Sequence, residues 1–190
     1  MARQPRWDAP GAVHHVMVRG IERRLLFLDD ADRQAFVARM EDVLLACAAF
    51  CFAWVLMSNH YHLVVCSIHG NLSRLMRRLN TGLAVRFNLR HERAGYLLQN
   101  RFRSRLVRDD EDLQGLVRYV HANPWKGGLV ASARDLEGYR WCGHGALVGR
   151  RAPFGFERVD AVLRLFADDA ALARRRLRAW MAEAPAAPDW

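Results

Sequence analysis

The sequence predicts an α+β fold of the ferredoxin-like kind: an antiparallel sheet with helices on one face, followed by a C-terminal helical extension. Strand-like and helix-like segments alternate in the order βαββαβα, which is the order of that fold. Two of the strand segments, residues 52–57 and 61–67, lie so close together that they can pair only as an antiparallel hairpin. We therefore expect one domain over residues 1–150 and the extension over residues 151–190.

The first half of the chain supplies a strand and two long helices. Residues 13–20 alternate and are rich in β-branched side chains, which is typical of a strand. Asp29 or Asp30 can cap a helix over about residues 31–50, where apolar side chains recur at helical spacing. Gly70-Asn71 breaks the chain before a second helical pattern that continues to about residue 90.

The second half adds one strand, one helix and the extension. Residues 102–107 predict the fourth strand, and an amphipathic segment over residues 111–122 predicts the third helix. We expect Asn123-Pro124 to stop that helix, because proline disfavours helical geometry in the residue before it. The extension is predicted to form two helices, over residues 159–166 and 172–181.

The charge of the chain indicates a polyanionic partner. Lysine and arginine number 29 against 20 aspartates and glutamates, which is a net charge of +9. All of these basic residues except Lys126 are arginine, whose planar fork binds phosphate in two-point contacts and stacks on bases. An arginine-rich composition by itself is also typical of a GC-rich genome, but that does not account for the net charge.

The remaining composition predicts a soluble cytoplasmic protein with no membrane association and no organic cofactor. The N-terminus lacks the apolar core of a signal peptide, and no apolar run reaches the roughly 18 residues of a membrane span. The four cysteines lack zinc-finger spacing and are expected to be reduced, buried thiols. With a nucleic acid as partner, the protein would be associated with the nucleoid in use.

The segment MSNHYHLVV carries the main chemical signal of the chain. Side chains alternate along a strand, so His60 and His62 point to the same face and together can chelate one metal ion. Further along, Tyr119 and Asn123 are four residues apart on a predicted helix and share one face. The pattern indicates an enzyme that cuts single-stranded nucleic acid through a covalent tyrosine link, with Tyr119 as nucleophile. Each motif alone is weak evidence, and the combination carries the prediction.

The ligand set predicts the kind of metal. Two imidazole nitrogens and the amide oxygen of Asn123 suit Mg2+ or Mn2+ with positions left open for phosphate oxygens. Zinc is an alternative that usually takes more sulfur or nitrogen ligands. No general base is identified, because His121 lies roughly 200° around the helix from Tyr119 at 3.6 residues per turn.

The chain resembles the single-tyrosine HUH transposases, and most closely the REP-associated tyrosine transposase branch. The resemblance covers residues 11–149 and rests on six segments in the order and spacing of that family: HHVMVRGIERRLLF, VLMSNHYHLVV, GNLSRLMRRLNTGLAVRFN, GYLLQNRFRSRLV, LVRYVHANPWKGGLV and YRWCGHGALVG. It implies that His60, His62 and Asn123 are metal ligands and that Tyr119 is the nucleophile. The family often has asparagine where this chain has Ile21, and the segment after Asn-Pro is also varied here, which leaves substrate details open.

The resemblance also implies an activity. We expect a metal-dependent endonuclease and strand transferase that forms a 5′-phosphotyrosine intermediate on single-stranded or hairpin-forming repeat DNA, as a monomer or a homodimer. Arginines expected to bind nucleic acid are Arg19, Arg74, Arg77, Arg78, Arg101, Arg103 and Arg105, and Tyr96 and Phe102 are candidates for base stacking. The alternatives are a non-catalytic, domesticated hairpin-binding protein and a plasmid-type replication initiator.

Overall fold

The computed structural model describes residues 8–183. The strands of this part are β1 (Val13–Arg19), β2 (Ala49–Leu56), β3 (His60–Ser67) and β4 (Arg103–Leu106). The helices are α1 (Asp30–Ala46), α2 (Leu72–Arg90), α3 (Asp110–Lys126), α4 (His144–Leu147), α5 (Val159–Arg164) and α6 (Ala170–Ala182). Two 3-10 turns, Ile21–Arg23 and Arg134–Gly138, lie between them.

The four strands form one sheet in the order β2-β3-β1-β4 with every neighbouring pair antiparallel. The β2–β3 pair is the predicted hairpin. In the register of β1 with β3, Arg19 lies opposite His60 and Met17 lies opposite His62. On its other edge β1 pairs with β4, where His15 lies opposite Arg105. The predicted α+β class with an antiparallel sheet is therefore confirmed.

The placement of the helices corrects one part of that prediction, since they cover both faces of the sheet. Helices α1 and α2 pack on one face, where Tyr61 and Leu63 belong to the same buried cluster as Phe36. Helix α3 covers the opposite face, where Val64 packs with Leu116. The physical reason lies in β3, which is buried at every position after its first residue. A strand that is apolar on both faces needs a covering layer on each of them.

The C-terminal boundary of α3 corrects a second expectation. The helix continues through Pro124 to Lys126 instead of stopping before the proline. Proline lacks the N–H that would bond the carbonyl of Val120, and the side-chain nitrogen of Asn123 approaches that carbonyl instead, at 3.3 Å. Asparagine directly before proline thus compensates for the missing backbone hydrogen bond and lets the helix proceed.

Helix α1 is shorter than predicted, because it ends at Ala46 rather than at about residue 50. Ala48 has a positive φ of 48°, which breaks the helical path. The chain turns there and β2 begins at Ala49. Residues 49 and 50, which the predicted helix included, belong to β2 instead.

The C-terminal helices pack on α3. Val162 of α5 and Leu177 of α6 are buried in the same cluster as Leu116. The guanidinium of Arg118 lies 3.6 Å from the ring centre of Trp180, which is a close cation–π contact. The observed bounds of α5 and α6 lie close to the predicted ones, while the division into two units at residue 150 stays a prediction. Within residues 8–183 no helix combines the length and the apolar character needed to cross a bilayer.

Candidate active site

The face of the sheet under α3 brings the four candidate residues together. The ring centroids of His60 and His62 are 5.2 Å apart, as expected for alternate residues of one strand. The ring of Tyr119 stands edge-on to His62 with 5.7 Å between centroids. Asn123, one helical turn further, hydrogen-bonds His60 through its side chain. The predicted strand pair and the predicted helix pair therefore meet at one place.

The ring of His60 is held by the residue before it. Its Nδ1 lies 2.7 Å from the side-chain oxygen of Asn59. The orientation of that amide is set on its other side, because the Asn59 nitrogen donates to the backbone oxygen of Arg23 over 3.1 Å. An oxygen acceptor at Nδ1 requires the proton of His60 to reside there, which leaves Nε2 as the nitrogen with a lone pair.

The amide of Asn123 presents its oxygen to His60. Its nitrogen is committed to backbone oxygens, chiefly that of Tyr119 over 2.7 Å, so the oxygen is the atom left to face the imidazole. His60 consequently has the side-chain amides of both Asn59 and Asn123 as neighbours, whereas a neutral imidazole has a single N–H. Burial, followed by the charge of Arg19, lowers the pKa of His60 to about 4, so the ring is neutral at pH 7.

The lone pair of a neutral imidazole nitrogen and the amide oxygen of Asn123 are both groups that a divalent metal ion takes as ligands. The residues present therefore fit a divalent metal ion. Within the described part of the chain, histidine, cysteine and carboxylate side chains form no metal-binding group of three or more. Asn123 offers an amide oxygen as a further ligand, and oxygen ligands suit Mg2+ or Mn2+ better than zinc.

The ring of His62 contacts His15 of the neighbouring strand β1. Its Nδ1 lies 2.9 Å from Nε2 of His15, and the two rings stack with 5.2 Å between centroids. Burial is the main reason why the pKa of His62 lies well below its usual range, and burial likewise lowers the pKa of His15 to about 3. Both rings are therefore neutral at pH 7, the state in which an imidazole binds metal. With Nδ1 engaged by His15, Nε2 is the nitrogen through which His62 can act as a ligand.

Tyr119 is positioned by the packing of α3. The neighbouring residues Leu116 and Val120 are fully buried against the sheet, so the tyrosine on the adjacent face of the helix lies beside the histidines. Near the start of α3, Arg105 of β4 donates two hydrogen bonds, of 2.9 and 2.6 Å, to the carboxylate of Asp112. The ammonium of Lys126 lies 5.7 Å from the centre of the Tyr119 ring, which is within the range of a cation–π contact.

The sequence-based reasoning missed two residues of the site, Asn59 and His15. Asn59 lies in the connection between the two predicted hairpin strands, and its position next to His60 is the signal that could have identified it. His15 could be found only from the register of β1 against β3, because it is separated from His62 by 47 residues in the chain.

The candidate nucleic-acid arginines divide into two groups. Arg19, Arg101 and Arg103 line one cavity on the face of the sheet that carries the histidines. Arg105 shares that face but is engaged with Asp112. The remaining three lie on α2, which packs on the opposite face of the sheet: Arg74, Arg77 and Arg78. A role in binding nucleic acid stays a prediction for all seven.

The chain thus combines a four-stranded antiparallel sheet with a histidine pair that faces a tyrosine on a covering helix. Among solved structures, the chain is similar to a REP-associated tyrosine transposase bound to a REP hairpin. The likeness has a TM-score of 0.68 at 20% sequence identity and covers 84% of this chain and 90% of that one. No protein-family model matches the chain, and neither does any curated protein. The likeness establishes a shared fold.

Proposed function

We propose that this protein is a metal-dependent single-stranded DNA endonuclease and strand transferase that acts through a 5′-phosphotyrosine intermediate. The observation that carries the proposal is the convergence of Tyr119 on His60, His62 and Asn123. These residues come from a strand and a helix that are distant in sequence, and they meet in a site where both imidazoles are held neutral. A tyrosine placed only for packing would have no need of these neighbours.

In the proposed first step, the oxygen of Tyr119 gives its proton to solvent water and bonds to the phosphorus of a phosphodiester. The bond from phosphorus to the 3′ oxygen breaks, and that oxygen leaves with the electron pair and takes up a proton. The strand downstream of the cut stays attached to Tyr119 through its 5′ phosphate.

His60, His62 and Asn123 would hold the metal, which when bound supplies electrophilic stabilisation of the charge that develops on the phosphate. Asn59 hydrogen-bonds Nδ1 of His60, and His15 hydrogen-bonds Nδ1 of His62. These contacts fix the orientation of the two imidazole rings. The hydrogen bond from Asn123 to the carbonyl of Tyr119 ties the third ligand to the backbone of the nucleophile.

The second step is the reverse of the first with a different strand. The phosphotyrosine keeps the phosphodiester linkage to phosphorus, so a 3′-hydroxyl can attack it and release the oxygen of Tyr119. Cleavage followed by this attack transfers one strand to another without a further energy source.

We infer that the substrate is hairpin-forming repeat DNA. The net charge of +9 favours a nucleic acid, and the solved structure of similar fold was determined with a REP hairpin. The protein would work in the cytoplasm on chromosomal DNA, as a monomer or a homodimer.

The test is a denaturing-gel assay for a covalent adduct. The protein is incubated with Mn2+ or Mg2+ and single strands from the repeats that flank its own gene, labelled at the 3′ or the 5′ end. We expect a metal-dependent adduct that carries the 3′ label and disappears in Tyr119→Phe. Tyr96→Phe is the matched control, because it removes a phenol hydroxyl from a side chain that is 85% exposed and keeps the ring that is expected to stack on bases.

The assay separates the enzyme from the non-catalytic alternative. An adduct that persists in Tyr119→Phe would show that another residue is the nucleophile. Strands that bind the protein tightly in the presence of metal without any adduct would overturn the enzyme and leave a hairpin-binding protein.

A further inference from the structure

A small cavity opens beside the candidate active site, on the same face of the sheet. Its volume is about 70 Å³, which accommodates a small tetrahedral anion. Strand β1 supplies one wall and the start of β4 with the preceding segment supplies the other. The lining residues are Met17, Arg19, Gln99, Asn100, Arg101 and Arg103.

The lining is cationic and contains no carboxylate. Three arginines line it, and within residues 8–183 none of the three forms an ion pair. The Nε of Arg19 is buried without a hydrogen-bond partner among the described residues. Arg105, two positions along β4 from Arg103, differs from them because Asp112 neutralises it. Like charges gathered without a counter-ion repel one another, and a bound anion would relieve that repulsion.

The walls of the cavity are fastened to the strand that borders the metal site. The N–H of Gln99 donates to the carbonyl of Arg19 over 3.0 Å, and the N–H of Ile21 donates to that of Leu97 over 2.9 Å. These bonds keep the segment before β4 against the end of β1. The cavity is therefore part of the folded scaffold rather than a gap between loose side chains.

The distance from the cavity to the histidines suits consecutive positions of one nucleic acid strand. Arg19 lies opposite His60 in the sheet, and β4 is two strands away from β3. Two strand spacings amount to roughly 10 Å.

We propose that this cavity binds a single backbone phosphate of the DNA strand, close to the phosphate that Tyr119 attacks. This inference rests on the proposed function. Arginine forks bind phosphate oxygens in two-point contacts, and the side-chain amides of Gln99 and Asn100 add neutral N–H donors. A phosphate held here would fix the direction of the bound DNA strand. That DNA strand would cross the sheet from β3 over β1 to β4.

The experiment is a double-mutant cycle between the protein and the DNA. Tyr119→Phe protein, which cannot form an adduct, is titrated in EDTA with single strands that carry one neutral methylphosphonate at successive positions. We expect Arg103→Gln to weaken binding of the unmodified strand about tenfold, as for a lost charged hydrogen bond. For the strand whose methylphosphonate falls at the cavity, the same substitution should change the affinity less than twofold.

Arg164→Gln is the matched control, since Arg164 is an exposed arginine on α5. It removes the same charge, and its effect should be the same for every methylphosphonate position. The dependence of log affinity on log salt should also fall by about 1 in Arg103→Gln, as for one lost phosphate contact. Equal weakening by Arg103→Gln at all positions would overturn the cavity as a phosphate site.

The outcome is independent of whether the protein cleaves DNA. Position-specific coupling without any adduct in the denaturing-gel assay would leave the phosphate site standing and overturn the enzyme. An adduct together with uniform, uncoupled losses would do the reverse.

Discussion

The side-chain nitrogen of Asn123 donates to the backbone carbonyl of Tyr119 over 2.7 Å, so the candidate third metal ligand is tied to the candidate nucleophile. The same nitrogen approaches the carbonyl of Val120, which has no N–H partner in the helix because residue 124 is proline. Both contacts use the nitrogen and turn the amide oxygen toward His60. An asparagine-proline pair in the last turn thus compensates for the gap in the helix and orients a ligand.

The two roles of Asn123 can be separated by a pair of variants. Asn123→Ala removes the ligand and leaves the Val120 carbonyl unsatisfied, which should lower the free energy of unfolding by about 1–3 kcal/mol. Adding Pro124→Ala returns a backbone N–H to that carbonyl, so stability should recover while Mn2+ affinity stays low. Urea unfolding and calorimetric titration with Mn2+ measure the two effects. Recovery of Mn2+ binding in the double variant would show that Asn123 is not a ligand.

Asn59 should control the metal affinity of His60 without touching the metal. Asn59→Ala removes the acceptor at Nδ1, and loss of such an outer partner typically lowers metal affinity 10–100-fold. Asn59→Asp keeps an oxygen at this place and should retain most of the affinity. Mn2+ titration of both variants in the Tyr119→Phe background measures this, with Ser58→Ala of the same turn as control. Equal Mn2+ affinity in Asn59→Ala and the parent would remove Asn59 from the site.

Arg105 should stabilise the protein, whereas Arg108 should not, although both approach Asp112. Arg105 makes the 2.6 Å contact and is 25% exposed, while Arg108 is 76% exposed at 3.8 Å. Arg105→Gln should lower the free energy of unfolding by about 1–2 kcal/mol, since Asp112 would lose its closest partner. Arg108→Gln should change it by no more than about 0.5 kcal/mol. Unchanged stability with weaker DNA binding in Arg105→Gln would instead favour the nucleic-acid contact predicted from the sequence.

His144 should make the protein less stable in mild acid. Burial lowers its pKa to about 4, with Glu137 opposing and Arg178 adding to this effect, and His121 and Cys142 also face it. The unfolded chain takes up a proton on His144 near pH 6.5, whereas the folded protein takes it up only near pH 4. The free energy of unfolding is therefore highest above pH 6.5 and decreases as the pH falls to about 4. The loss amounts to about 3 kcal/mol for the whole window.

Urea unfolding at pH values between 4 and 7 measures this dependence. We expect His144→Gln to flatten the curve between pH 6.5 and 4 relative to the parent protein, because glutamine does not titrate. Parallel curves for the two proteins would show that His144 is not responsible.

Much of the site was predictable because its signals are local. His60 and His62 share a face through the two-residue period of a strand, and Tyr119 and Asn123 through the turn of a helix. Asn59 and His15 were missed for different reasons. The orientation of Asn59 depends on the carbonyl of Arg23, which lies in the 3-10 turn after β1. The role of His15 depends on the pairing of β1 with β3.

The sequence by itself determined the order of strands and helices, the hairpin, the basic charge and the candidate residues of the site, because each follows from neighbours within a few positions. The tertiary structure decided which face of the sheet each helix covers, and through it that Tyr119 meets the histidines. It also decided that Arg105 pairs with Asp112 while Arg103 lines an anion-sized cavity. Two arginines on one face of one strand have the same local pattern, and only the packing of α3 over one of them makes them different.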